Sequence, residues 1–168
     1  MHPTDATTDD IREELSWELF GDATRELAEV IADDGFVPDV VLAVARGGLT
    51  VAGALAYALG VKNCGAVNVE FYTGVDERLD VPVLLPPTLN LLEVADMRVL
   101  VADDVADTGH TLELVRKVLD EHVGELRTAV LYHKPRSVIL PTYSWRTTSL
   151  WINFPWSTLP PVAGLPPR

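Results

Sequence analysis

Two stretches of the chain are apolar without interruption. Val40-Val41-Leu42-Ala43-Val44-Ala45 follows Pro38-Asp39 and breaks at Arg46-Gly47-Gly48; Val99-Leu100-Val101-Ala102 breaks at Asp103-Asp104. Short apolar runs with no polar alternation mark strands covered on both faces. Leu126 to His133 predicts another strand, interrupted at Lys134-Pro135, and Gly65 to Tyr72 alternates enough to be one more. Between these lie segments of helical spacing: alanine-rich Leu49 to Leu59, closed by Gly60, and Thr108 to Val123, ended at Gly124. Strands alternating with helices predict an α/β fold with a doubly wound, mostly parallel sheet.

The two ends are less regular. After a loose polar lead with Thr7, Thr8 and Asp9 as N-cap candidates, Ile11, Leu15 and Leu19 share one helical face. Beyond Gly21-Asp22, Leu27, Val30 and Ile31 repeat that spacing until Asp33-Asp34-Gly35, which predicts a helix in two pieces. Its expected role is to pack on the sheet, without chemistry. Tyr143 to Trp145 and Leu150 to Phe154 predict short strands or loops before a proline-rich end. From Tyr72 to Asp96 the chain shows no clear element, carries Pro82, Pro86 and Pro87, and includes the acidic residues Asp76, Glu77, Asp80 and Glu93. A connection this long predicts a lid or hood at about 73–96; a hairpin of Val81 to Leu85 against Leu89 to Val94 is the alternative, compatible with a lid.

Composition narrows the class. The 168 residues, 48% hydrophobic and 23% charged, predict one soluble domain with a real core. No apolar run is long enough for a membrane helix and the N-terminus lacks signal-peptide character, so the expected location is the cytoplasm. Cys64, alone, is expected to be a small buried hydrophobe. A formal net charge of -12 repels nucleic acid and anionic membranes, and no basic run offsets it. An anionic ligand must therefore be held by backbone amides, a few placed cations and a bound metal.

The candidate chemistry is concentrated in Val99 to Thr111. Adjacent carboxylates at the end of a buried strand repel each other unless a cation or hydroxyl donors lie between them, a need that a ribose answers, with or without Mg²⁺. Ala106-Asp107-Thr108-Gly109-His110-Thr111 then combines small residues, a glycine and hydroxyls at a helix start, which suits a phosphate monoester. His110 and His133 have no companion ligands for zinc.

This stretch resembles the signature of the type I phosphoribosyltransferases, which bind 5-phosphoribosyl-1-pyrophosphate (PRPP). The likeness runs over roughly residues 15 to 156, with motifs in the same order. Arg46-Gly47-Gly48 is similar to the family's pyrophosphate loop. Lys134-Pro135 and Trp151-Ile152-Asn153-Phe154-Pro155-Trp156 resemble the base-recognition elements, about 134–156, of the xanthine, guanine and hypoxanthine members. The resemblance implies that Asp103 and Asp104 hold the ribose hydroxyls with Mg²⁺ nearby. It implies that Ala106, Asp107, Thr108, Gly109, His110 and Thr111 surround the 5′-phosphate, with Asp107 also close to purine N7. Lys134 would donate to the 6-oxo group, Trp151 would stack on the ring, and the backbone at Ile152 would read the 2-position.

The expected activity is transfer of the phosphoribosyl group from PRPP to hypoxanthine, guanine or xanthine, by a homodimer or higher homo-oligomer that engages neither nucleic acid nor membrane. Two alternatives share the site: a non-catalytic PRPP or nucleotide sensor, and a transferase for adenine, orotate or uracil. A Rossmann-type dinucleotide module is excluded because no G-x-G-x-x-G follows the first strand.

Overall fold

The computed structural model describes residues 11–74, 77–85 and 94–164. In chain order the elements are β1 (Arg12–Glu14), α1 (Trp17–Asp33), β2 (Val40–Ala45), α2 (Gly47–Leu59), β3 (Cys64–Gly74), β4 (Glu77–Leu85), β5 (Arg98–Ala106), α3 (His110–Asp120), β6 (Glu125–His133), β7 (Tyr143–Thr147) and β8 (Trp151–Asn153). Six strands form one sheet in the order β4-β3-β2-β5-β6-β7. Within it β4 runs antiparallel to its neighbour; the other pairings are parallel.

The two uninterrupted apolar runs are β2 and β5, side by side at the centre, with Val40 opposite Val99 and Ala43 opposite Ala102. Both faces of these strands are covered. Val41, Ala43, Leu100 and Ala102 pack with α1 and α2 residues such as Leu27, Ile31, Val51 and Leu55. Val40, Leu42, Val99 and Val101 pack with Leu112, Val115 and Leu119 of α3 on the other face. Polar residues have no place in such strands, which is why the runs are continuous. At their entrances Arg98 grips Asp39, donating from Nη2 to Oδ1 at 2.9 Å and from Nε to Oδ2 at 3.1 Å, and the Arg98 amide donates to Oδ2 at 2.8 Å. These hydrogen bonds hold the Asp39 carboxyl down at a pKa of about 2. The clasp sets the register in which the opposite ends of β2 and β5 emerge together.

Several sequence expectations need correction. Arg12–Glu14 is a strand, paired in parallel with Trp151–Asn153, because backbone pairing to a distant segment outweighs weak local helical spacing. Ile11 and Val30, expected on the buried face, are exposed. The helix does not break at Gly21-Asp22. Burial of Ala23, Leu27 and Ile31 outweighs the roughly 1 kcal/mol that an internal glycine costs. Its cap is Ser16, which accepts from the Leu19 amide at 3.0 Å; Thr7, Thr8 and Asp9 lie outside the described residues. Cys64 is exposed at the start of β3. The segment expected to lack structure contains β4, which pairs with β3 from Asn68↔Leu85 to Gly74↔Glu77, so the hairpin is made with the preceding strand. The expected partner segment, Leu89 to Val94, lies outside the described residues apart from Val94. Among the described residues no helix is long and apolar enough to cross a membrane.

Gly48, in the first turn of α2, lies against β5. A Cβ there would stand 2.5 Å from the Ala102 carbonyl oxygen and 3.2 Å from Cα of Asp103, both backbone atoms. Gly48→Ala should therefore push α2 off the sheet at a cost of about 1–3 kcal/mol. Thermal denaturation should show Tm lowered by about 3–10 °C, and an unchanged Tm would contradict the close approach.

Candidate active site

In chain order the path leaves β2 through α2 towards β3 on one side, and leaves β5 through α3 towards β6 on the other. The line between β2 and β5 is therefore the switch point of the sheet, where an open crevice forms at the carboxyl ends of the strands. Arg46-Gly47 at the end of β2 and Asp103-Asp104 in β5 meet there. Gly47 abuts Asp104 so closely that a Cβ would lie 1.9 Å from its Oδ2, so a side chain there would displace the carboxylate from its place. Arg46 occupies the N-cap position of α2 after a cis Ala45–Arg46 peptide and is exposed.

The carboxylate pair does not end the strand as expected from the sequence: β5 runs on to Ala106, paired with β6, and the two carboxyls face opposite sides of it. Asp103 is 9% exposed and lines a cavity of about 520 Å³ on the α3 side. Asp104, half-buried, faces Gly47 on the other side. Burial pushes the Asp103 carboxyl well above the ordinary range, and repulsion from Asp104 pushes it further; the Asp104 amide, donating to Asp103 Oδ1 at 2.8 Å, opposes this without reversing it. Burial raises Asp104 as well, against hydrogen bonds from the Val105 backbone and the side chains of Asp103 and Trp156. Both carboxyls resist ionisation as they stand.

The same cavity is lined by Val105 to Leu112, which places Ala106, Asp107, Thr108, Gly109, His110 and Thr111 around it as the sequence predicts. Gly109 caps α3 in the left-handed region at φ 82° and no side chain caps the helix, so its first amides are left for a ligand. A Cβ on Gly109 would also meet Ser137 Oγ at 2.2 Å. His110, the first residue of α3, is exposed at the cavity wall.

The residues expected to recognise a base, Lys134, Trp151 and Ile152, follow β6 and lie in β8. The Lys134 amide donates to the Ala106 carbonyl at 3.0 Å, tying the end of β6 to the phosphate loop. Lys134 is 6% exposed and its Nζ donates to the Leu150 carbonyl, one residue before Trp151. Burial lowers its pKa, Asp107 opposes that, and Arg136 adds to it. An ammonium has three donors, so one backbone bond leaves two for a ligand. Trp151 is 66% exposed, an available ring face. Ile152 is buried, in register with Glu13 of β1. Trp156 stacks on Phe154 at 5.0 Å and packs against Trp17 and Phe20 of α1, and from that cluster its side chain hydrogen-bonds Asp104.

Two residues escaped the sequence reading. Glu13 of β1 pairs with Arg146 of β7 at 3.4 Å, so the N-terminal segment helps to hold the β8 segment in place. Arg136 donates from Nε to Asp107 Oδ1 at 3.0 Å. The sign available for Arg136 was a cation two positions beyond Lys134, in a turn that the alternation of elements does not predict. Among the described residues no group of three or more His, Cys, Asp or Glu side chains forms a metal cage.

Comparison with known proteins agrees with this geometry. The phosphoribosyl transferase domain model matches residues 13–160. A xanthine-guanine phosphoribosyltransferase of Ruegeria is 30% identical over 155 residues, 84% of this chain and 83% of that protein. The enzyme of the same name from Idiomarina loihiensis is 30% identical over 89% of this chain and 92% of its own. Among solved structures, a purine phosphoribosyltransferase from Pyrococcus horikoshii superposes with a TM-score of 0.77 at 35% identity, covering 90% of this chain and 97% of that one. A match along nearly the whole chain, joined to a sheet whose switch point gathers the acidic pair and the phosphate loop, shows that the protein belongs to the type I phosphoribosyltransferase family, close to its 6-oxopurine members.

Proposed function

We propose that this protein transfers the 5-phosphoribosyl group of PRPP to a 6-oxopurine, giving the nucleoside 5′-monophosphate and pyrophosphate. One observation carries the reading: Asp103, buried beside a second carboxylate and hard to ionise there, shares a cavity with an uncapped helix N-terminus. Vicinal hydroxyls and a divalent cation satisfy the first, and a phosphate monoester satisfies the second. A ribose 5-phosphate carries both groups on one molecule. The xanthine-guanine and purine activities of the relatives support the base class.

Two adjacent carboxylates without a third protein ligand among the described residues suit Mg²⁺, which takes one or two carboxylates and completes its shell with water and substrate oxygens. Asp103 and Asp104 would hold it through the ribose site. Bound there, the ion supplies charge compensation to the departing pyrophosphate. The remaining work belongs to the chain. Amides of the first turn of α3, with Thr108 and Thr111, hold the 5′-phosphate; Gly47 and Gly48 bring backbone close to the pyrophosphate end; Arg46 adds a cation there. Lys134 donates to the 6-oxo group, which draws electron density from the ring and orients N9 towards C1′. Trp151 covers the ring face. As N9 bonds to C1′ and the C1′–O bond to pyrophosphate breaks, the proton on N7 passes to Asp107. Carboxylates beside the ribose stabilise the positive charge that develops on the sugar.

Incubation with PRPP and Mg²⁺ and, separately, hypoxanthine, guanine, xanthine, adenine, orotate or uracil should release pyrophosphate with 6-oxopurines alone. Silence with every base, together with tight PRPP binding, would favour a sensor instead. Lys134→Ala should raise the KM for the oxopurine about tenfold or more while leaving the KM for PRPP in place, the loss expected for a charged hydrogen bond. An unchanged base KM in steady-state assays would remove Lys134 from the base site.

A further inference from the structure

Asp107 and Arg136 face each other because the backbone makes them. Lys134 N donates to Ala106 O at 3.0 Å and Val138 N donates to Thr108 O at 2.8 Å. Those two bonds bracket Asp107 on one segment and Arg136 on the other. Gly109 closes the same seam, with no room for a side chain beside Ser137. The guanidinium therefore meets the carboxylate through a fixed loop geometry, not through a chance reach across open surface.

The contact is one-sided. Nε at 3.0 Å and Nη2 both donate to Asp107 Oδ1. Oδ2 is left out of the pair, on a residue that lines the cavity. The side chains are 66% and 39% exposed, so the pair contributes little to stability; screening by water and salt weakens such contacts. What it does supply is selection between the two oxygens: Nε and Nη2 converge on Oδ1, which leaves Oδ2 as the oxygen available to a ligand in the cavity.

We propose that Arg136 is a positioning residue: by holding Oδ1 it presents Oδ2 of Asp107 to the N7–H of the bound purine. The inference rests on the transfer reaction proposed above and assigns to it a residue outside the pyrophosphate, phosphate and base contacts. The arrangement also accounts for a second cation beside Lys134 in a chain of net charge -12. Arg136 balances Asp107 while the base is absent, and lets Lys134 serve the 6-oxo group.

The test compares two inhibitors against guanine with PRPP and Mg²⁺ present: 9-deazaguanine, which keeps N7–H, and 7-deazaguanine, which has carbon there. The wild-type protein should favour 9-deazaguanine. Arg136→Ala should shrink that preference about tenfold, with Tm and the KM for PRPP unchanged, and Arg136→Lys should restore part of it. In an Asp107→Asn background, Arg136→Ala should have no further effect on the ratio. An unchanged ratio in Arg136→Ala, or a loss that falls on PRPP instead, would overturn the role of Arg136. If Asp107→Asn itself leaves the ratio unchanged, the assignment of N7 to Asp107 fails first, and the positioning role fails with it.

Discussion

Two carboxylates on adjacent residues, withdrawn from water, lose hydration and repel each other, and the centre of this fold keeps them so. Asp103 is buried in a strand whose every other residue from Val99 to Ala102 is packed on both faces. The strand cannot twist the pair out to solvent without breaking its pairing to β6, which continues through Asp103↔Val130 to Ala106↔His133. Gly47 lies on the other side, where a side chain would push the Asp104 carboxylate out of its present position. The Asp39–Arg98 clasp at the far end sets the register that makes the loop and the acidic pair coincide. The sheet is in this sense a device for holding two carboxyls where ionisation is costly until a ligand compensates their charge.

Local balance of charge explains the rest of the site. With a formal net charge of -12, the protein as a whole repels PRPP, so attraction must come from a few groups near the strand ends. Arg46 stands at the pyrophosphate end of the crevice, while Lys134 and Arg136, both on the turn that follows β6, are engaged by the Leu150 carbonyl and Asp107. The α3 N-terminus adds a partial positive charge that burial cannot neutralise. Lys134 is the costly member: desolvation lowers its pKa, and its bond to the Leu150 carbonyl gives it a partner until a base arrives.

The parts legible in the sequence were those where one local pattern has one physical reading. Unbroken apolar runs pointed to β2 and β5 because only doubly covered strands tolerate them, and the acidic tip, small-residue loop and helix start were contiguous. The 48% hydrophobic content was compatible with many folds; the order of strand, glycine loop and helix was not. What could not be read depends on partners far along the chain. Arg12–Glu14 is a strand only because Trp151–Asn153 lies beside it, and Glu77–Leu85 only because β3 offers an open edge. Arg136 looks like an ordinary surface cation until Lys134 N and Val138 N are seen stitched to the phosphate loop. Trp151 and Trp156 belong to one motif, yet the first is exposed and the second is absorbed by the aromatic cluster with Trp17 and Phe20.

The claim that Asp103 is held ready for a ligand at the expense of the empty fold is open to a direct measurement, the pH dependence of stability of Asp103→Asn against the wild type. The Asp103 pKa is raised on folding, so its folded form favours the proton. Its contribution is favourable below the usual carboxylate pKa and is lost as pH rises through the raised value. A neutral amide in its place mimics the protonated acid at every pH. The ligand-free variant should therefore melt above the wild type at neutral pH, with the gap closing as the pH falls towards the unfolded carboxylate range, while PRPP with Mg²⁺ stabilises only the wild type strongly. A variant that melts below the wild type at neutral pH, or a gap that does not change with pH, would contradict the account.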